Sequence, residues 1–109
     1  MNEKRSWERV KVNLKARCRL VDAAAYSFYQ ITDIHHEGCC VVGETGFQEG
    51  QEVRLVVQIP VEGEIYLIGM VRWSRRDDKG EYNIGLKFLI NGQLAEANSG
   101  KLYSFCVSR

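Results

Sequence analysis

The sequence predicts an all-β fold, a small antiparallel six-stranded β-barrel with a short C-terminal α-helix. Three observations carry this. Residues 10–20 alternate apolar and polar without a miss, five shorter β-forming runs follow, and three of the segments between runs hold Gly beside acidic or amide residues. Such a series of short strands suits an antiparallel barrel or a sandwich. A chain of 109 residues is one domain by length, and its shortness favours the small barrel.

The first strand is the clearest. Val10, Val12, Leu14, Ala16, Cys18 and Leu20 oppose Lys11, Asn13, Lys15, Arg17 and Arg19, which gives one dry and one wet face. The next strands are expected at residues 27–34, 38–42, 52–59, 65–74 and 82–89. Val53, Leu55, Val57 and Ile59 alternate in the fourth run, and Tyr82, Ile84, Leu86 and Phe88 in the sixth. The separators GETGFQEGQ, PVEGE and RRDDKGE are turn chemistry. The tail changes period: Leu94, Ala97, Lys101, Leu102, Phe105 and Cys106 recur every three to four residues, which predicts a helix over the barrel, weakened by Gly100. Residues 1–9 form a polar leader ahead of the barrel and helix of residues 10–109.

Composition excludes several classes. With 45% hydrophobic and 27% charged residues the chain is an ordinary globular one. No apolar run approaches the roughly 20 residues of a membrane span, and MNEKRSWER lacks a signal-peptide core, so a cytoplasmic protein is expected. Net charge is only +1, which argues against a polyanion binder. The cysteines, Cys18, Cys39, Cys40 and Cys106, are expected to be reduced and mostly buried.

Residues 33–40 read DIHHEGCC and have the residue types of a metal site. Zinc, however, needs three or four ligands converging on one point. Adjacent side chains on extended backbone diverge, so His35–His36 and Cys39–Cys40 supply at most one ligand each. Cys18 and Cys106 each stand alone in their segments, and no metal is expected.

By position rather than type, the same stretch is Asp33-x-His35-x-x-Gly38. Before the first strand stands Arg5-Ser6-Trp7-Glu8-Arg9, an R-x-x-x-R element, and residues 69–88 read GMVRWSRRDDKGEYNIGLKF. In this order the elements resemble the PilZ family, small barrels of Greek-key or split type that bind the bacterial second messenger cyclic di-GMP. The resemblance runs from Glu3 to about Phe88, with the family's terminal helix after it. It implies that Arg5 and Arg9 are clamp arginines, that Asp33 and Gly38 are turn residues of the site, and that Trp73 is a ligand-facing aromatic.

The chemistry suits that ligand. A guanidinium fork matches the O6 and N7 acceptors of guanine and also binds phosphate oxygens, while Asp33 can accept from guanine's N–H edge. Gly38 suits a turn that approaches a ligand or takes a positive φ. Each residue also has a plainer reading. Arg5 and Arg9 can be solvated terminal charges, Asp33 can cap its own turn, and Trp73 can be barrel core.

His35 departs from the family pattern, which has Ser there. A lost neutral hydrogen bond costs about 0.5–1.5 kcal/mol, which weakens binding rather than abolishing it unless the ring clashes. An imidazolium meeting phosphate would raise affinity below about pH 6.5.

The sequence therefore reads as a binding module without catalytic machinery or cofactor. In this reading the leader orders on cyclic di-GMP, Trp7 moves with it, and a partner protein senses the change. The alternative is a degenerate PilZ-like domain that has lost the nucleotide and acts through protein contacts. A third reading, single-stranded nucleic acid on Lys11, Lys15, Arg17 and Arg19, lacks an aromatic ladder beside those cations in the sequence. The plain account of that stripe is a solvated strand face.

Overall fold

The alternation of residues 10–20 becomes an eleven-residue strand, β1 (Val10–Leu20), whose Leu14, Ala16 and Cys18 are buried while Lys11, Asn13 and Lys15 are exposed. This computed structural model describes residues 9–107. The other strands are β2 (Ser27–His35), β3 (Gly38–Gly43), β4 (Glu52–Ile59), β5 (Gly63–Arg76) and β6 (Tyr82–Phe88), followed by the helix α1 (Gln93–Val107). The six runs read from the sequence are these six strands. The largest difference is in β5, which starts two residues earlier and ends two later than its apolar alternation indicates.

The strands close into a barrel in the order β1-β2-β3-β6-β5-β4, every pair antiparallel. The meander β4-β5-β6 returns to lie beside β3, a Greek-key arrangement. Closure leaves no sheet edge. Inward-facing Leu55, Val57, Ile84 and Phe88 are at most 2% exposed and fill the lumen. Val56 breaks the rule of alternation: it faces outward and is still buried.

The RRDDKGE separator is a tied turn between β5 and β6. Asp77 accepts the backbone N–H groups of Lys79 (2.9 Å) and Glu81 (3.0 Å) through Oδ1. Its own carbonyl accepts from Gly80, which takes the left-handed φ of 85° that favours glycine. These N–H groups, that of Glu81 first, hold the Asp77 carboxyl below its ordinary range.

The helix buries the face the spacing indicates in its second half only, where Phe105 also packs against the core. Ser99, Leu102 and Cys106 are buried, and Leu102 and Cys106 join the barrel core. Leu94 is 75% exposed and Ala97 is also exposed. Two contacts tie the helix to β5 and the turn before it: Asn98 donates to the Tyr66 carbonyl at 2.9 Å, and Lys101 reaches Glu62 at 3.9 Å. No helix among the described residues is long and apolar enough to cross a membrane.

All four cysteines are free and buried. Burial pushes the Cys18 thiol up to about 12 and raises Cys39 and Cys40 as well, which leaves little thiolate to react. Among the described residues no group of three His, Cys, Asp or Glu side chains is arranged to hold a metal ion.

Candidate functional site

Two β-bulges create the site. In β2, Ile31 pairs with Val41 and Asp33 with Cys40, so Thr32 is an extra residue. In β5, Val71 pairs with Leu86 and Trp73 with Gly85, so Arg72 is extra. Ile31 and Val71 point into the core at 0% and 1% exposure. Regular pleating would send Asp33 and Trp73 inward after them, and each inserted residue reverses the alternation. Both side chains therefore stand on the outer surface of the barrel.

Between them lies a shallow floor. The registers align Asp33, Cys40, Gly85 and Trp73 in one row across β2, β3, β6 and β5. The middle positions are small, so the row has two walls and a trough. A neighbouring row runs through His35, Gly38 and Lys87. The result is a pocket of about 300 Å³ lined by Arg9, Asp33, His35, Glu37, Gly38, Cys39, Cys40, Arg72, Trp73, Gly85, Leu86 and Lys87.

The electrostatics are mixed in a useful way. Arg9 lies 3.7 Å from the Asp33 carboxylate, whose side chain is only 15% exposed while that of Arg9 is 65% exposed. Arg72 and Lys87 add positive charge from β5 and β6, and Glu37 adds one carboxylate. His35 Nδ1 accepts the backbone N–H of Glu37 at 3.3 Å, an arrangement that leaves the ring proton on Nε2. The guanidinium of Arg75 lies over the Trp73 ring, 5.3 Å from its centroid. A carboxylate that can accept paired N–H donors, a flat aromatic wall and several cations together suit a planar, anionic ligand.

Of the residues singled out in the sequence, Arg9, Asp33, His35, Gly38 and Trp73 all line this pocket. Arg5 and Trp7 lie outside the described residues. The reason for glycine at 38 is not the expected one. Its φ is not positive, and a Cβ there would stand 2.1 Å from the Leu86 carbonyl oxygen, so close approach of β3 to β6 excludes a side chain. Trp73 is half-buried and stands apart from the barrel core.

Sequence reading missed Arg72, Lys87, Glu37 and Cys40. No signal in the strand itself marked them: the alternation of Ile65, Leu67, Gly69 and Val71 runs on to Trp73, and the bulge that turns Trp73 outward shows only in the register with β6. The basic stripe of β1 also differs from expectation, because aromatics do flank it. Tyr26 lies under both Arg17 (5.4 Å) and Arg19 (5.1 Å), and Phe28 pairs with Arg17 across the ladder. Both arginines are nevertheless engaged within the fold, Arg17 by Glu64 at 3.1 Å and Arg19 by the carbonyls of Leu20, Val21 and Ala23.

Comparison with known proteins bears on this arrangement. The fold is similar to the PilZ domain of YcgR from Escherichia coli, solved with c-di-GMP, at a TM-score of 0.72 and 15% identity over 97% of this chain and 93% of that one. It is similar to the Bacillus subtilis inhibitor of motility MotI/DgrA, with a TM-score of 0.72 and 21% identity over 98% of this chain and 51% of that one. The MrkH–c-di-GMP complex of K. pneumonia gives a TM-score of 0.75 and 15% identity over 98% of this chain and 53% of that one. The chain thus spans about half the length of MotI/DgrA and of MrkH. No curated protein matches the sequence. At these identities the likeness concerns the fold alone, but a family model described as PilZ domain matches residues 3–105 of the sequence itself. By that match, and with a barrel of the same architecture, the chain belongs to the PilZ domain family.

Proposed function

We propose that this chain is a cyclic di-GMP receptor module. The observation that carries the reading is the pocket, in which Arg9, Asp33, His35, Gly38 and Trp73, residues distant in sequence, line one surface. The YcgR domain and MrkH, which share the fold, were solved with c-di-GMP. In this reading one guanine lies against the Trp73 side of the trough with its N–H edge toward Asp33, and the arginines of R-x-x-x-R meet phosphate and the guanine acceptors. Residues 1–9 act as a leader: Arg5 and Arg9 close over the ligand, Trp7 is carried with them, and the altered surface is what a partner protein reads. Binding and its readout, not catalysis, are the activity.

The test is calorimetric titration of cyclic di-GMP into the intact chain and into Arg9→Ala. The intact chain is expected to release or absorb heat on binding and to gain about 2.7 kcal/mol of stability at a ligand concentration 100 times the dissociation constant. Arg9→Ala should weaken binding about tenfold or more through loss of a charge-assisted contact. Tryptophan fluorescence of a Trp73→Phe variant then isolates Trp7, and an unchanged signal at saturation would remove the leader-closing step.

His35 favours a second reading, a PilZ domain that has lost the nucleotide and works through protein contacts. Its ring lines the pocket where the family pattern has Ser. Absence of both heat and thermal upshift with millimolar messenger would select this reading over the first.

A further inference from the structure

Position 72 owes its place to the β5 bulge. It has no partner across the ladder to β6, its side chain is exposed, and it lines the pocket beside Lys87. Charge in this corner is only partly balanced: Glu37 lines the same pocket, but its carboxylate lies against His36 at 3.7 Å. Arg9 stands at Asp33 on the other wall, while among the described residues no carboxylate forms an ion pair with Arg72 or Lys87. An arginine at a pocket rim without such a partner keeps its fork of N–H donors for an incoming anion.

We propose that Arg72 is a ligand-binding residue of this chain, gripping a phosphodiester of cyclic di-GMP from the β5–β6 side, across the trough from Arg9. The inference rests on the cyclic di-GMP reading above. The ligand carries two phosphodiesters at opposite sides of its ring, and the pocket carries cations on opposite walls, Arg9 at the Asp33 wall and Arg72 at the Trp73 wall. The two arms differ in kind. Arg9 precedes the first strand, whereas the backbone of Arg72 is held within β5 before the ligand arrives, so less ordering is required for its contact. Lys87 strengthens the field on the same side as a point charge.

The experiment is calorimetry of cyclic di-GMP with the full chain, Arg72→Ala, Arg72→Lys, the Arg5→Ala/Arg9→Ala double variant and the triple variant, each at low and high salt. Arg72→Ala is expected to weaken binding about ten- to a hundredfold, with a shallower salt dependence and an unchanged melting temperature without ligand. Arg72→Lys should recover part of the loss, since it restores charge but not the fork. The double variant should keep weak, salt-sensitive binding that the triple variant lacks. Wild-type affinity and salt dependence in Arg72→Ala would overturn the inference and leave the receptor reading standing. A loss of the same size at every salt concentration would also overturn it. No binding by the intact chain would remove both.

Discussion

The indole of Trp73 rests on Gly85, so closely that a Cβ built at position 85 would stand 2.3 Å from Nε1 and 2.4 Å from Cε2. The two residues are partners in the β5–β6 ladder, and the absence of a side chain on one gives the ring of the other its seat. Gly85→Ala must push the ring off that seat. The expected cost is about 1–3 kcal/mol, with weaker binding of cyclic di-GMP because the pocket wall shifts. In a Trp73→Ala background the same substitution should cost little. Denaturant unfolding of the four proteins measures the coupling. Equal penalties in both backgrounds would mean that the ring is not the reason for glycine.

Two other glycines should respond in opposite directions. Gly38→Ala drives a Cβ against the Leu86 carbonyl, and because the obstacle is backbone it cannot swing aside. A loss of about 3 kcal/mol is expected. Gly100, within α1, has open space where its Cβ would be. Gly100→Ala should stabilise by about 0.5–1 kcal/mol through helix propensity. Urea midpoints at constant slope would establish both signs.

His35→Ser puts a small hydroxyl where an imidazole lines the pocket. The variant removes a ring from the pocket and gives up the acceptor that holds the Glu37 N–H. Tighter binding of cyclic di-GMP, by up to about tenfold, is expected. Equal or weaker affinity on calorimetry would mean that the imidazole contributes to the site rather than obstructing it.

The β5–β6 turn gives a pH signature. Backbone N–H groups lower the Asp77 carboxyl from its ordinary 3.8, so its stabilising contribution is present above pH 3.8 and fades as pH falls through the folded-state value. Asp77→Ala should therefore be less stable than the parent at neutral pH, and the gap should narrow on acidification below 3.8. Parallel unfolding curves across that range test the sign. A gap that stays constant into strong acid would exclude the ionised carboxylate as its source.

The barrel was legible because a period of two is hard to disguise. In β1 every second residue from Val10 to Leu20 is apolar, and the lumen takes that face. Turns announced themselves where Gly met Asp, as in Asp77 to Gly80. The pocket was only half legible. Spacing and order picked out Asp33 and Trp73, but simple alternation assigns both to the interior after Ile31 and Val71. A bulge is a property of paired strands, and it cannot be read from one strand without its partner's register. Arg72 was missed for the same reason. The helix was legible as an element, and Leu102 and Cys106 of its period are buried against the barrel, but Leu94 fits the same period and stands exposed.

The inserted residues Thr32 and Arg72 have a further consequence for how such a site is lost. Excising Thr32 would leave the Asp-x-His-x-x-Gly string untouched, letter for letter, while turning its carboxylate into the lumen. A search for the motif would still succeed on a chain whose trough had lost a wall. What must be inherited here is a count of residues along each strand, and a one-codon deletion of the uncharged Thr32 could silence the pocket while its signature stayed intact.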